Sequence, residues 1–163
     1  QETSQALPLG ARVPSTLNKT AAQVSNLSEL STSPTPVLEL YQTSVAEALG
    51  HGRPFVVVFA TPAFCTSRLC GPVVEVVAQL MPALKGRVDF IHLEPYDLKL
   101  ARKEGRLQLT EVARQWRLPS EPFIYVVDTQ GRVAAKFEGI VTARELQAAL
   151  QKVLAAGAVP SSP

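Results

Sequence analysis

Pro54–Ala60 reads Pro-Phe-Val-Val-Val-Phe-Ala, an apolar run of strand length with no polar break. Such a run predicts a central strand covered on both faces. Val88–Leu93 (Val-Asp-Phe-Ile-His-Leu) reads as a second buried strand. Between them Val73, Val76, Val77, Leu80 and Leu84 recur at helical spacing, predicting a helix over Pro72–Leu84 that Pro82 kinks or ends. Phe123–Val127, the turn Asp128-Thr-Gln-Gly131 and Arg132–Phe137 predict a hairpin. Thr110 is placed to N-cap a short helix reaching Trp116. Thr142-Ala-Arg-Glu145 has the form of a capping box and opens an Ala/Leu-rich helix to about Ala156. Upstream, Val37–Tyr41 reads as a short strand and Ser44–Leu49 as a short helix closed by Gly50-His-Gly52. Residues 95–108 are polar and charged and read as a loop or insertion.

From Pro54 the order is strand, helix, strand, helix, strand, strand, helix. A parallel crossover unit followed by an antiparallel hairpin predicts an α/β domain: a central mixed β-sheet flanked by helices. Residues 1–36 differ. Ser, Thr and Pro fill 15 of these 36 positions and aromatics are absent. They predict an N-terminal extension or tether, partly ordered, in which Leu17, Val24, Leu27 and Leu30 are spaced to lie against a core. The expected division is thus 1–36 extension, 37–157 domain and 158–163 disordered tail.

At 163 residues one domain with a proper core is expected, and 46% hydrophobic with 18% charged is globular. A net charge of +2, without a long basic run, argues against a nucleic-acid partner. No apolar stretch reaches spanning length. The chain begins with Gln, so a processed or trimmed product is expected, with removal of a signal or anchor and a membrane tether upstream of residue 1 as one explanation. A monomer is expected.

Chemistry concentrates in Phe59-Ala-Thr-Pro-Ala-Phe-Cys-Thr-Ser-Arg-Leu-Cys-Gly-Pro72, which holds the two cysteines, Cys65 and Cys70. The close pair fits a redox couple, a metal pair or a small staple. A purely structural disulfide gains little over so short a loop, which tilts the reading toward chemistry. On a regular helix the two Cα atoms would lie roughly 8–9 Å apart, whereas a disulfide needs less than about 7 Å. Residues 65–70 must then be non-helical when bridged. A helix starting near Pro72 leaves Thr66–Leu69 as a loop; one starting near Ser67 must unwind its first turn. In both cases a helix N-terminus and Arg68 stabilise a thiolate. Cys65 is the expected attacking thiol and Cys70 the resolving one.

The element order, Phe59–Pro72 with its Cys-Gly-Pro, Ser120-Glu-Pro-Phe123, and Asp128–Gly139 together resemble the thioredoxin fold over about residues 37–157. Leu9-Gly-Ala-Arg-Val-Pro14 resembles the opening of membrane-tethered thioredoxin-like and peroxiredoxin proteins. The chain looks like bacterial extracytoplasmic thioredoxin-domain proteins. That resemblance implies thiol–disulfide exchange with protein thiols or disulfides, a redox-active disulfide with no other cofactor, and Pro122 as the cis-proline. With the cysteines, it implies a periplasmic or cell-envelope location. Three departures stand out: Phe64 replaces the family's Trp, Val73 follows Cys-Gly-Pro, and Glu121 precedes the proline where a small or apolar residue is usual. A carboxylate beside the sulfurs raises a thiol's pKa.

Two rival readings remain. Thr61-Pro-Ala-Phe-Cys-Thr-x-x-x-Cys resembles one bacterial peroxiredoxin class, whose thiolate works beside Thr and Arg; here Thr61 is one residue too far, and Thr61-Pro62 also reads as a strand-ending turn. A redox-silent or copper-handling binding module of the same fold would draw on the thiolates and His51 or His92. His51 sits in a Gly-His-Gly turn and is expected in solvent; His92, within a strand, reads as a satisfied core or edge residue. Trp116 is expected in the core, and Glu94 with Glu121 could form a carboxylate group near the active loop or a solvated face. Asn18-Lys-Thr20 and Asn26-Leu-Ser28 match a glycosylation pattern too common to assign.

Overall fold

The computed structural model describes residues 6–157. Gln1–Gln5 and the predicted tail 158–163 lie outside the described residues. Strands β1 (Phe55–Phe59), β2 (Asp89–Leu93), β3 (Phe123–Val127) and β4 (Val133–Glu138) form one sheet in the order β2-β1-β3-β4. β1 and β2 run parallel, with Phe55 opposite Asp89 and Phe59 opposite Leu93. β3 runs antiparallel to β1, with Phe59 opposite Phe123, and to β4. Helices α1 (Val45–His51), α2 (Cys70–Leu84), α3 (Leu98–Glu104), α4 (Glu111–Gln115) and α5 (Ala143–Gly157) complete the domain. The mixed sheet flanked by helices matches the pattern read from the sequence.

The unbroken apolar strands exist because both faces are covered. Val56, Val58 and Ala60 of one face pack with Cys70, Val73, Val74 and Val77 of α2 and Leu146, Leu150 and Val153 of α5. Phe55, Val57 and Phe59 of the other pack with Val45 and Ala48 of α1, Ala113 of α4, and Trp116. The predicted capping box at Thr142 is present, and Ser44 forms another with Glu47 at the start of α1. Ser44 Oγ accepts from Glu47 N at 3.0 Å, and Thr142 Oγ1 accepts from Glu145 N at 3.1 Å. Gly131 closes the hairpin turn with φ 76°; a Cβ there would meet Leu49 Cδ2 at 2.9 Å.

Three expectations need correction. Leu38–Tyr41 is a 3-10 helix and no strand: Leu40 and Tyr41, adjacent in sequence, enter the same core cluster, whereas a strand would send them to opposite faces. Residues 95–108 contain α3. Its seven residues carry four charges, which hid its short apolar face, but Asp97 caps Leu100 N at 3.0 Å and Gly105 ends it with φ 66°. Pro72 is the third helical residue of α2, still within the turn whose N–H groups need no helical partner. The far end of α2 is as expected: it runs to Leu84, with Pro82 in its last turn.

Much of the N-terminal segment is woven into the domain. Ala6, Leu7 and Val13 join the core on the Phe59 face. Gly10 N donates to Val133 O (2.8 Å), Val133 N to Ala11 O (2.9 Å) and Val13 N to Gly131 O (2.9 Å), so this stretch pairs beside the start of β4. Leu27 and Leu30 pack against the other cluster, as their spacing suggests. Leu17 instead points outward, 85% exposed, because its neighbour Thr16 is the inward residue.

Candidate active site

β1, an inner strand, delivers the chain to its C-terminal end at Ala60, whose N donates to Leu93 O at 3.2 Å. Phe64 N donates to Thr61 O at 3.1 Å, so Thr61-Pro62 begins a turn. Cys65 and Cys70 are joined by a disulfide, with Cα atoms 6.0 Å apart. Cys70 is the first residue of α2, and 65–69 stay non-helical, so the helix starts between the two positions that the sequence allows. The chain reaches that geometry through Arg68, which adopts φ 63°. This left-handed conformation costs a non-glycine residue roughly 1 kcal/mol. The Arg68 side chain is exposed and makes no hydrogen bond or ion pair among the described residues.

The two sulfurs differ in access. Cys70, opening α2, is fully buried in the core, whereas Cys65 is half-buried and its Sγ lies 3.3 Å from Ser67 Oγ. The β1–β3 register carries Pro122 to the end of the sheet that holds the disulfide loop, since Phe123 lies opposite Phe59. The Glu121–Pro122 peptide is cis, and Pro122 O accepts from Gly139 N at 3.0 Å. Glu121, half-buried, takes a hydrogen bond from the Tyr96 hydroxyl at 2.7 Å. Burial first, and then the Glu121 carboxylate, push the Tyr96 pKa up, so the phenol stays protonated. Thr61 is fully buried, and its Oγ1 is sealed from solvent without a hydrogen-bond partner.

Sequence reasoning missed a polar brace from the N-terminal segment. Thr32 donates to Glu94 Oε2 from its N (2.6 Å) and its Oγ1 (2.8 Å), and its Oγ1 accepts from Ala63 N (2.9 Å). One threonine thus ties the end of β2 to the disulfide loop, across sequence separations of 62 and 31 residues that carry no periodic signal. Arg102 of α3 holds the same segment by donating to Ser28 O (2.7 Å) and Ser31 O (3.3 Å). Beside it, Tyr41 OH lies 2.9 Å from Ser31 Oγ and 2.7 Å from His92 Nδ1. His92 Nε2 bonds Ala60 O at 2.7 Å. A carbonyl only accepts, so Nε2 carries the proton and Nδ1 receives the Tyr41 hydroxyl. Burial raises the Tyr41 pKa to about 12 and keeps it a donor.

His92 is therefore a satisfied core residue. Burial holds its pKa below the ordinary 6.5, outweighing the opposite pull of Glu94 and of Ala60 O. Near and below pH 6.5 the unfolded chain binds a proton that the folded chain refuses, so stability falls on acidification. The expected slope reaches up to about 1.4 kcal/mol per pH unit. His92→Gln, whose amide can still donate to Ala60 O, removes this contribution. Urea midpoints between about pH 7.5 and 5.5 check it; equal slopes in the two proteins would sink the assignment.

His51 is exposed, as expected, and its Nδ1 also bonds Asp89 Oδ2 at 2.8 Å; Asp89 takes Arg53 Nη2 at 2.9 Å as well. Asp89 opens β2, so this pair sits at the end of the sheet away from the disulfide loop. With both His92 nitrogens engaged, neither histidine joins the sulfurs. Among the described residues no group of three His, Cys, Asp or Glu side chains is placed to hold a metal ion. Trp116 is core, as expected, and donates from Nε1 to Thr16 Oγ1 at 3.0 Å. Among the described residues no helix is long and apolar enough to cross a membrane.

A family model described as a thioredoxin-like domain matches residues 41–154. No curated protein matches the chain. Among solved structures, a thiol:disulfide interchange protein of the thioredoxin family from Chlorobium tepidum TLS is 17% identical, with a TM-score of 0.50 over 69% of this chain and 86% of that one. A DsbH oxidoreductase is 16% identical, with a TM-score of 0.45 over 80% and 96%. The structure of MTB dsbF in mixed oxidized and reduced forms is 23% identical, with a TM-score of 0.43 over 63% and 81%. At such identities the likeness concerns the fold.

Proposed function

The chain belongs to the thioredoxin-like domain family, and we propose that it is a thiol–disulfide oxidoreductase acting on protein thiols or disulfides. One observation carries the proposal: the bridged pair joins a half-buried residue, Cys65, to a fully buried one, Cys70, at the N-terminus of a 15-residue helix. A bimolecular attack needs the first and an intramolecular resolution needs only the second.

In the reducing direction the Cys65 thiolate attacks one sulfur of a substrate disulfide. The substrate S–S bond breaks, one substrate thiolate leaves, and a Cys65–substrate disulfide forms. Cys70, once deprotonated, attacks Cys65 Sγ, the second substrate thiolate leaves, and Cys65–Cys70 is restored. Two electrons pass to the substrate, whose two sulfurs take protons from solvent. The oxidising direction is the reverse, starting from the bridged state. Free N–H groups at the start of α2 and the charge of Arg68 favour the thiolate. Pro122 shapes the groove beside the sulfurs where a partner's backbone pairs, and Glu121 opposes thiolate formation. The solvent-sealed Thr61 hydroxyl serves as a packing element; a thiol peroxidase would need it open to peroxide. The protein works as a monomer outside the reducing cytoplasm, where such a bridge persists, held there by a tether upstream of residue 1.

The reduction potential of the pair, read by thiol trapping in glutathione buffers, tests this. A working exchange couple is expected between roughly −120 and −270 mV, and the value also gives its direction. A potential below about −300 mV would mark a structural staple and overturn the proposal.

A further inference from the structure

Resting on this exchange reading, we propose that Glu121, held by Tyr96, selects substrate segments carrying a lysine or arginine beside the reacting cysteine. Glu121 precedes the cis-proline at the sheet end that presents Cys65. Its backbone N–H and C=O form no hydrogen bond among the described residues, although the adjacent Pro122 O is taken by Gly139 N. An extended peptide docking there finds a free donor and acceptor of the kind that strand addition uses.

The Glu121 side chain then meets the substrate residues that flank the reacting cysteine. Its carboxylate is fixed by a single neutral donor, the Tyr96 hydroxyl at 2.7 Å, and no Lys, Arg or His pairs with it among the described residues. Next to it Ser120 Oγ donates to Glu138 Oε2 at 2.6 Å, a second carboxylate without a cation. The chain as a whole carries +2, so this negative patch is local and set against the overall charge. Half-burial makes the unneutralised carboxylate more effective than a fully solvated one, because less water screens it. A substrate ammonium or guanidinium supplies the missing partner; a substrate carboxylate is repelled.

Symmetric disulfide dimers of three peptides test this, identical except for Lys, Gln or Glu on both sides of one cysteine. Reduced protein plus one dimer gives bridged protein plus two peptide thiols, and chromatography of the thiols gives the rate. The Lys dimer is expected to react about fivefold faster than the Gln dimer and the Glu dimer slower by a similar factor, the scale of one partly exposed charge pair. Glu121→Gln collapses the Lys-to-Glu ratio toward one while Arg68 stays in place, Tyr96→Phe reduces it, and added salt lowers it in the wild type. The ratio separates selection from any general effect of Glu121 on the Cys65 thiolate, which changes all three rates together. Equal rates for the three dimers overturn the inference and leave the exchange reading standing. A Lys preference that survives Glu121→Gln overturns the assignment to Glu121. No turnover of any dimer overturns the exchange reading itself.

Discussion

Cys65→Ser is expected to reduce disulfide exchange to the uncatalysed background, while Cys70→Ala leaves the first attack intact and halts the reaction at a mixed disulfide. The asymmetry follows from access: Cys65 is half-buried in the loop and Cys70 is fully buried at the start of α2. Only a thiolate attacks a disulfide sulfur at a useful rate, and a serine hydroxyl does not ionise near neutral pH. In Cys70→Ala the substrate stays bound to Cys65, because no internal thiol releases it, and non-reducing electrophoresis shows the adduct. Alanine is preferable to serine at position 70. A serine hydroxyl there would sit among Val73, Val77 and Val58 without a partner, at a cost of about 1–3 kcal/mol. Either variant also loses the bridge, worth roughly 2 kcal/mol for so short a loop in the chain-entropy account. Stability is therefore measured beside activity, and a folded Cys65→Ser protein that still exchanges disulfides would remove Cys65 from the attacking role.

The four strands of the sheet, the capping box at Thr142 and the hairpin were legible because each is encoded locally. Pro54–Ala60 announces a strand covered on two faces by having no polar residue, and Thr142 with Glu145 announces a helix start by their spacing of three. The disulfide loop was half legible. Two cysteines after a buried strand pointed to chemistry, and helix geometry showed that 65–70 had to depart from a helix to be bridged, but the start of α2 at Cys70 depended on the local turn at Arg68. The rest was written in residues with no periodicity to reveal them. Thr32 reaches Glu94 and Ala63, Tyr41 reaches His92, and Tyr96 reaches Glu121, over separations of 25 to 62 residues. Each is one polar side chain reaching partners far along the chain, and such pairings become visible only when the fold has set which polar groups lie side by side. Leu17 shows the converse. Its apolar character suggested burial, but the segment turns Thr16 inward because the Trp116 indole N–H, buried in the core, requires an acceptor.

That indole bears on the largest stability effect expected here, the removal of residues 1–36. Read from composition, the segment is an extension. In the structure its described part supplies core side chains, backbone pairing for the hairpin and the acceptor for Trp116. Deletion uncovers the sites of Leu7 and Val13 on the Phe59 face, each worth about 1.5–3 kcal/mol when fully buried. It orphans the Trp116 Nε1–H, which costs about 1–3 kcal/mol more. It also strips Leu7 N from Tyr125 OH, Thr16 O from Ala46 N and Asn18 Oδ1 from Val45 N. A domain stable by about 5–15 kcal/mol does not absorb such losses without a large fall in its folded fraction. Residues 37–163 are thus expected to lose most of their near-UV circular dichroism or to unfold at much lower urea. If the fragment instead keeps the full-length midpoint and slope, the segment is an appendage, and the contacts of Leu7, Val13 and Thr16 contribute nothing that the domain needs. Thr16→Val isolates one link in the folded protein: it removes the acceptor of Trp116 while nearly preserving volume, and a loss of about 1–3 kcal/mol in urea unfolding is expected. A loss of that size would show that the segment and the sheet unfold as one cooperative unit, because a tail unfolding separately would not transmit it to the transition of the core.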